Sequence, residues 1–348
     1  MEKVQNRKKS SFGGWLADSW KNKPLFSTGC ALLVMVILQT IALGFNYPSV
    51  GDWFAAWGKN WINILRNNAG VGIVALGMTF VIISGGIDLA VGSTMVAIGA
   101  IMMVLIDGNA TGVLTALGIT GAPAFIIAII AGILVGVLLG ECSGLLIAHR
   151  GMPPFIATLG MMKICRSVTQ QCMQTVSPAV PKGFLAIANT RIGGEIILPI
   201  LYWLLIAAAL HIVSKHTAFG RQVFAVGSSE RTSKLSGVNV RKIKRRVYAL
   251  MGGLVAITAV IQIARIGSMD YANAGSGYEM DAIAAVIIGG TSMSGGRGSI
   301  LGTVLGMLIL AVMNNLLNLI GVPPFLREAF KGVIVIAAVL LQKKDSGN

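Results

Sequence analysis

Asn314 and Asn318 stand four residues apart inside an apolar run, so a helix places both amides on one face. A side-chain amide carries donors and an acceptor together, the chemistry that binds the hydroxyl groups of a polar solute. The same pair also fits hydrogen bonding between helices, worth about 0.6 kcal/mol in a membrane, and the spacing alone does not choose. Lys163 and Arg166 lie within another apolar run. Charge is costly in lipid, so both should face protein or a wet cavity, either lining a path or pairing with Glu141 in the preceding run. Asp88 follows Gly85-Gly86 and precedes a third run. A carboxylate there suits an N-cap that accepts orphan N–H groups, with contact to a solute or ion as the other reading. Asp88, Lys163, Arg166, Asn314 and Asn318 are thus the candidates for a translocation path.

Other chemistries lack their residues. The phosphate-cradling G-x-x-x-x-G-K-[ST] loop does not occur, and the run from Gly289 to Gly298 has no lysine after its glycines. If ATP is used, another polypeptide must bind it. His211 and His216 are five apart and do not share a helix face, while Cys30, Cys142, Cys165 and Cys172 lie in apolar runs without a C-x-x-C pair. No metal site, disulfide framework or cofactor is expected. A membrane enzyme would need His-Glu-x-x-His, or a serine or paired carboxylates at membrane depth, so the chain reads as a non-enzyme.

The elements that must carry these residues are membrane helices. Hydrophobic residues make up 55% of the chain and charged ones 12%, against roughly 25% charged in a soluble domain. The mean hydropathy is +0.77. A helix needs about 20 apolar residues to cross the hydrocarbon core. Cutting the chain at its charges gives ten segments, at approximately 25–45, 67–87, 89–106, 124–148, 153–173, 196–214, 247–264, 282–294, 300–320 and 329–342. The fold class expected is therefore an all-α polytopic membrane protein, with residues 1–348 as one transmembrane domain.

The net charge of +15 would suggest nucleic acid in a soluble protein, but the basic residues fall between apolar runs, so no nucleic-acid partner is expected. With ten spans and both termini inside, most of them fall on the cytoplasmic side, as the positive-inside rule requires. Residues 1–24, with Lys3, Arg7, Lys8 and Lys9, form a basic cytoplasmic N-terminus; the run that follows is longer than a signal-peptide core. Gly151-Met-Pro-Pro-Phe155 and Gly321-Val-Pro-Pro-Phe325 open the fifth and tenth segments, which suggests an inverted repeat of five spans each. Gly132, Gly136 and Gly140 form a small-x-x-x-small stripe suited to close helix packing.

Residues 215–246 form the one substantial polar loop between spans. Its middle, 229–240, suits a short helix stopped by Gly237, because glycine supplies the left-handed conformation at a helix C-terminus. Arg241, Lys242, Lys244, Arg245 and Arg246 follow. Two readings fit: a positive-inside anchor on anionic headgroups of the lipid bilayer, and an element that docks into a partner protein.

Several stretches carry a resemblance. Gly77-Met-Thr-Phe-Val-Ile-Ile-Ser-Gly-Gly-Ile-Asp-Leu-Ala-Val-Gly-Ser93, Pro154-Phe-Ile-Ala-Thr-Leu-Gly160, Phe219-Gly-Arg221, Ser236-Gly-Val-Asn-Val240 and the segment from Tyr278 to Ser292 occur in order. Together they resemble the ribose, xylose, arabinose and galactoside permease family of bacterial ABC importers, from about residue 60 onward. The resemblance implies a multi-pass permease of the bacterial inner membrane that imports a monosaccharide by alternating access, without a cofactor. It implies three partners: separate ATPase subunits, an extracytoplasmic sugar-binding protein, and a second permease copy or paralogue. The ATPase would meet Phe219, Gly220, Arg221, Gly227, Glu230, Ser236, Gly237 and Val238. Gly227-Ser-Ser-Glu-Arg-Thr232 departs from the family's usual Gly-Gly-Asn followed by Ala-rich residues, so individual contacts do not carry over there. Alternatives are a secondary transporter and an ABC permease for nucleosides or branched-chain amino acids.

Overall fold

A computed structural model describes residues 24–109 and 112–345. The basic N-terminal residues singled out above lie outside them. The chain runs α1 (Pro24–Leu43), α2 (Val50–Ile83), α3 (Val91–Ile106), α4 (Val113–Ala116), α5 (Ala122–Arg150), α6 (Pro154–Met173), α7 (Lys182–Asn189), a two-residue hairpin β1 (Arg191–Ile192) and β2 (Glu195–Ile196), then α8 (Leu198–His216). It continues α9 (Ala218–Ser228), α10 (Glu230–Leu235), α11 (Val240–Ile266), α12 (Tyr278–Ile288), α13 (Ile300–Leu319) and α14 (Pro324–Asp345).

Each of the ten expected segments falls on a helix. Among the described residues, six helices are long and apolar enough to cross a membrane: α1, α2, α5, α8, α11 and α13. α3 is apolar but has 16 residues, and α12 has 11, about 16 Å against a hydrocarbon core of about 30 Å. The expected crossing at 282–294 is thus half helix and half loop, because Gly289 and Gly290 end α12 and Gly290 has φ +84°. The second segment is longer than charge alone suggested. α2 starts at Ser49, whose hydroxyl accepts the Asp52 N–H at 3.1 Å, and continues through Arg66 as one helix of 34 residues.

α2, α11 and α13 are the inner helices, with α3 and α12 between them; α1 and α5 show most of their surface. The exposed side chains of α1 and α5 are apolar, including Leu33, Ile37, Leu134 and Leu138, as lipid contact demands. Lipid tails are as apolar as leucine, so contacts between such helices depend on close packing rather than on hydrophobic exclusion.

The glycine stripe of α5 supplies that packing. Gly132 lies on Met102 of α3, Gly136 on the Gly252 carbonyl of α11, Gly140 on the Tyr248 carbonyl, and Gly144 on the Arg245 backbone. Gly252 faces the Gly136 carbonyl in return. The two backbones therefore touch along about two turns, an approach that a single Cβ would prevent. A second close pair joins α12 to α13, where Gly289 meets Gly302 and Gly306 meets the Ala285 carbonyl. Polar groups pin the rest: Thr79 and Thr303 hydroxyls are 2.7 Å apart, and Asn60 and Asn315 exchange two amide hydrogen bonds at 3.1 and 3.0 Å.

Gly252→Ala should separate α5 from α11 and cost about 1–3 kcal/mol. Thermal unfolding of the detergent-purified protein checks this: its midpoint should fall, while Gly29→Ala, where nothing lies within 4 Å of the added carbon, leaves it unchanged. An unshifted midpoint for Gly252→Ala would show that the close approach is not needed.

Candidate functional site

Between α2 and α3 the chain leaves helical form at 84–90. Asp88 is buried there, and its carboxylate accepts the Ala90 N–H at 2.9 Å. The N-cap position of α3 is Ala90, so Asp88 organises the turn ahead of the helix and is not itself the cap. Tyr248 of α11 donates its hydroxyl hydrogen to the Ile87 carbonyl at 3.0 Å, and Gly86 leaves room for that ring.

The segment 267–277 between α11 and α12 turns back into the bundle. Gly275, at φ +70°, rests on Gly92 in the first turn of α3, and neither has space for a side chain. Asp270 holds the outer part of the turn by accepting from Ala272 and Asn273. The Asn273 side chain, then the Ala272 and Asn273 amides, keep its carboxyl below the ordinary aspartate range. Arg166 reaches across from α6 and donates to two carbonyls of the turn, Tyr271 at 3.1 Å and Ala274 at 2.9 Å. A guanidinium thus occupies acceptors that a tight turn leaves open. Glu279 in the first turn of α12 lies against Gly92 and interacts electrostatically with Arg166.

Arg166 therefore faces protein, as expected. Lys163 is exposed on α6. The expected pairing of either residue with Glu141 also fails, because Glu141 forms its ion pair with Arg245 of α11. The glycine stripe brings α5 against α11 rather than α6 at that level. Asn314 is half-buried and Asn318 exposed on α13, which packs on α1, α2 and α12, whereas α6 packs on α3 and α5. The structure does not bring the two groups of candidates together. On α13 the asparagine that bonds a neighbouring helix is Asn315, which spacing did not single out.

Beside the Arg166 turn lies a cleft of about 660 Å³, lined by Ser167, Gln170, Gln171, Gln174, Asp270 and Tyr271 among others. Lys163, Ser167, Gln170 and Gln174 follow one another at three- and four-residue spacing, so α6 presents a polar stripe of hydroxyl and amide groups. That periodicity is present in the sequence as polar side chains at helical spacing within an apolar run.

The residues expected to meet a partner lie at the opposite end of α6. α9 begins at Thr217, whose hydroxyl accepts the Gly220 N–H, and Gly220 sits against the Val213 and Ser214 carbonyls. Phe219 stacks on Phe80 of α2 with centroids 6.0 Å apart. Gly227 lies on the Ile83 carbonyl at the end of α2 and on the Gly296 N–H, while Gly296 donates to Ile83 at 2.9 Å. Three segments therefore meet backbone to backbone at Gly227. Arg221 is exposed.

α10 is capped by Ser229, with Glu230 in its first turn ion-paired to Lys244. It ends through Ser236 at Gly237, whose φ of +80° is the left-handed stop expected there. Val238 packs on the core. Leu235, unnoticed in the sequence, is 82% exposed beside exposed Arg231 and Lys234.

Residues 60–339 match the family described as the permease component of the branched-chain amino acid transport system. The chain belongs to this family. It is 37% identical to the ribose import permease protein RbsC of Escherichia coli (strain K12), covering 90% of this chain and 92% of that one. Identity to the Bacillus subtilis (strain 168) protein of the same name is 39%, with 82% and 85% covered. The xylose transport system permease protein XylH of Haemophilus influenzae is 31% identical, with 90% and 96% covered. No solved structure matches the permease.

Arg166→Met should free the Tyr271 and Ala274 carbonyls, each bond to a charged donor being worth about 1.5–3 kcal/mol. Hydrogen exchange of the purified permease should quicken across 268–277, with Arg166→Lys intermediate. Unchanged protection in Arg166→Met would remove this anchor from the site.

Proposed function

We propose that the permease is the membrane-spanning subunit of an ATP-driven monosaccharide importer, working with separate ATPase subunits, an extracytoplasmic sugar-binding protein and a second permease copy or paralogue. The relatives' names supply the sugar class: ribose import, xylose transport, and the galactofuranose transporter permease protein YtfT of Escherichia coli, 36% identical. In this reading ten helices cross the bacterial inner membrane with both termini cytoplasmic, and the two Gly-x-Pro-Pro-Phe openings mark inverted halves. Each opening has a left-handed glycine, Gly151 and Gly321, and starts a helix at its second proline.

The observation that carries the proposal is the attachment of α9. An ATPase can move an access equilibrium only through contacts that differ between its states. Gly227 joins α9 closely to α2 and to the segment before α13, and α2 and α13 run through the core. α10 beside it offers Leu235 as an apolar knob ringed by charge. Force applied at Leu235 is therefore transmitted to helices that reach the far end of the bundle. There the amide-lined cleft of α6 offers hydrogen-bond partners to a sugar.

Leu235→Glu should lower sugar-stimulated ATP hydrolysis by about tenfold or more in the reconstituted complex, the loss of an apolar anchor worth about 2 kcal/mol. Its unfolding temperature should not change, because the side chain is exposed. Full stimulation with Leu235→Glu would defeat the docking role. Orientation is tested separately: on intact cells, a membrane-impermeant thiol reagent should modify a single cysteine placed at Asp270 and spare one placed at Leu235. The reverse pattern would invert the topology.

A further inference from the structure

A cavity of about 400 Å³ opens at the basic end of the bundle, between α5 and α11, and the function proposed above makes no use of it. Its walls are Glu141, His149, Asn239, Arg241, Lys242, Arg245 and Arg246. Four cationic side chains stand against one carboxylate, and that carboxylate is already paired with Arg245. The remaining charge is positive and unpaired within the cavity: Arg241, Lys242 and Arg246 are exposed and make no ion pair among the described residues. Its volume falls within the usual range for small-molecule sites, about 300–1,000 Å³.

The cavity shares Asn239 and Arg241 with the cleft beside α10, and two features distinguish it. The first is depth. Glu141 lies nine residues before Arg150, the last residue of α5, so the cavity descends about 13 Å along the helix from its end. The second is the approach. Leu134, Leu138 and Leu145 are exposed on α5 at spacings of four and seven, and His149 follows four residues later, so all lie on one face. An apolar lane thus leads along α5 into the basic cavity. A ligand that fits both has an anionic head and a long apolar tail.

We propose that this cavity holds the phosphate headgroup of an anionic glycerophospholipid, with an acyl chain along Leu134, Leu138 and Leu145. Arg241, Lys242 and Arg246 supply the charge-assisted hydrogen bonds to the phosphate, and His149 and Asn239 add further hydrogen-bond donors at the rim. The Glu141–Arg245 pair at the floor limits how deep the phosphate descends. Basic pockets between membrane helices on the cytoplasmic side are suited to anionic headgroups on general electrostatic grounds. The bound lipid bridges α5 and α11 where the glycine contact ends at Gly144, and so closes the last gap between them.

The test uses the full-length permease, purified in detergent from vesicles of phosphatidylcholine and phosphatidylglycerol, with retained lipid read by native mass spectrometry. One phosphatidylglycerol should remain per chain. The double variant Arg241→Gln/Arg246→Gln should weaken retention roughly thirtyfold. Lys215→Gln/Arg221→Gln, which removes two charges from the same end outside the cavity, should retain the lipid as the original does. Phosphatidylglycerol should also raise the unfolding temperature of the original chain and not of the cavity variant. Equal loss in both double variants would reduce the effect to general surface charge and overturn the proposal. So would displacement by millimolar inorganic phosphate, which would make the site one for a free anion. Displacement by the ATPase subunit would assign the cavity to a protein partner and overturn it as well. No sugar or ATP enters the assay, so its failure leaves the transport reading untouched.

Discussion

Everything else in the bundle depends on how closely α5 and α11 approach. Their contact is backbone on backbone, with Gly136 and Gly252 facing each other's carbonyls and Gly140 on Tyr248. In lipid no hydrophobic force presses two apolar helices together, so the attraction must come from dispersion and from weak Cα–H···O contacts that only a bare backbone permits. Once α11 is held there, Tyr248 is placed to bind the Ile87 carbonyl and fix the break before α3. Arg245 is placed to pair with Glu141, and the far end of α11 delivers the turn that Arg166 anchors.

Two ends of the molecule then acquire different characters. At the far end, the polar stripe of α6 and the turn at 267–277 line a cleft of hydroxyl and amide groups, and the turn is held by Arg166 and by the contact of Gly275 with Gly92. At the basic end, α9 is fixed by Phe219, Gly220 and Gly227 with no slack.

Much of this was legible in the residues. The helical class followed from charge poverty, and the stripe Gly132, Gly136 and Gly140 announced close packing, although nothing local named Gly252 as its partner. Gly237 marked its helix stop because a left-handed residue has few other uses there. What failed depended on pairing at a distance. Glu141 had several cations within reach by sequence, and only the α5–α11 register selected Arg245. Cutting at charges misjudged α2, because a helix that leaves the membrane need not end there; Arg66 sits in mid-helix and bonds Asn63. Asn315 was passed over for Asn314 and Asn318 because helical spacing says which residues share a face, not which face meets a neighbour.

The glycine contact also imposes an order in time. α5 leaves the ribosome more than a hundred residues ahead of the part of α11 that it must grip, an interval on the order of ten seconds at bacterial rates of synthesis. During that wait α3 already covers Gly132 and touches Gly136, while the stripe from Gly140 to Gly144 awaits α11. The stripe must therefore stay vacant although other helices are at hand, and its shape provides for this: a groove without side chains gives little hold to a helix that has bulky ones. Gly252, with no side chain, seats against Gly136 when α11 arrives, so this contact closes before α12 and α13 are added.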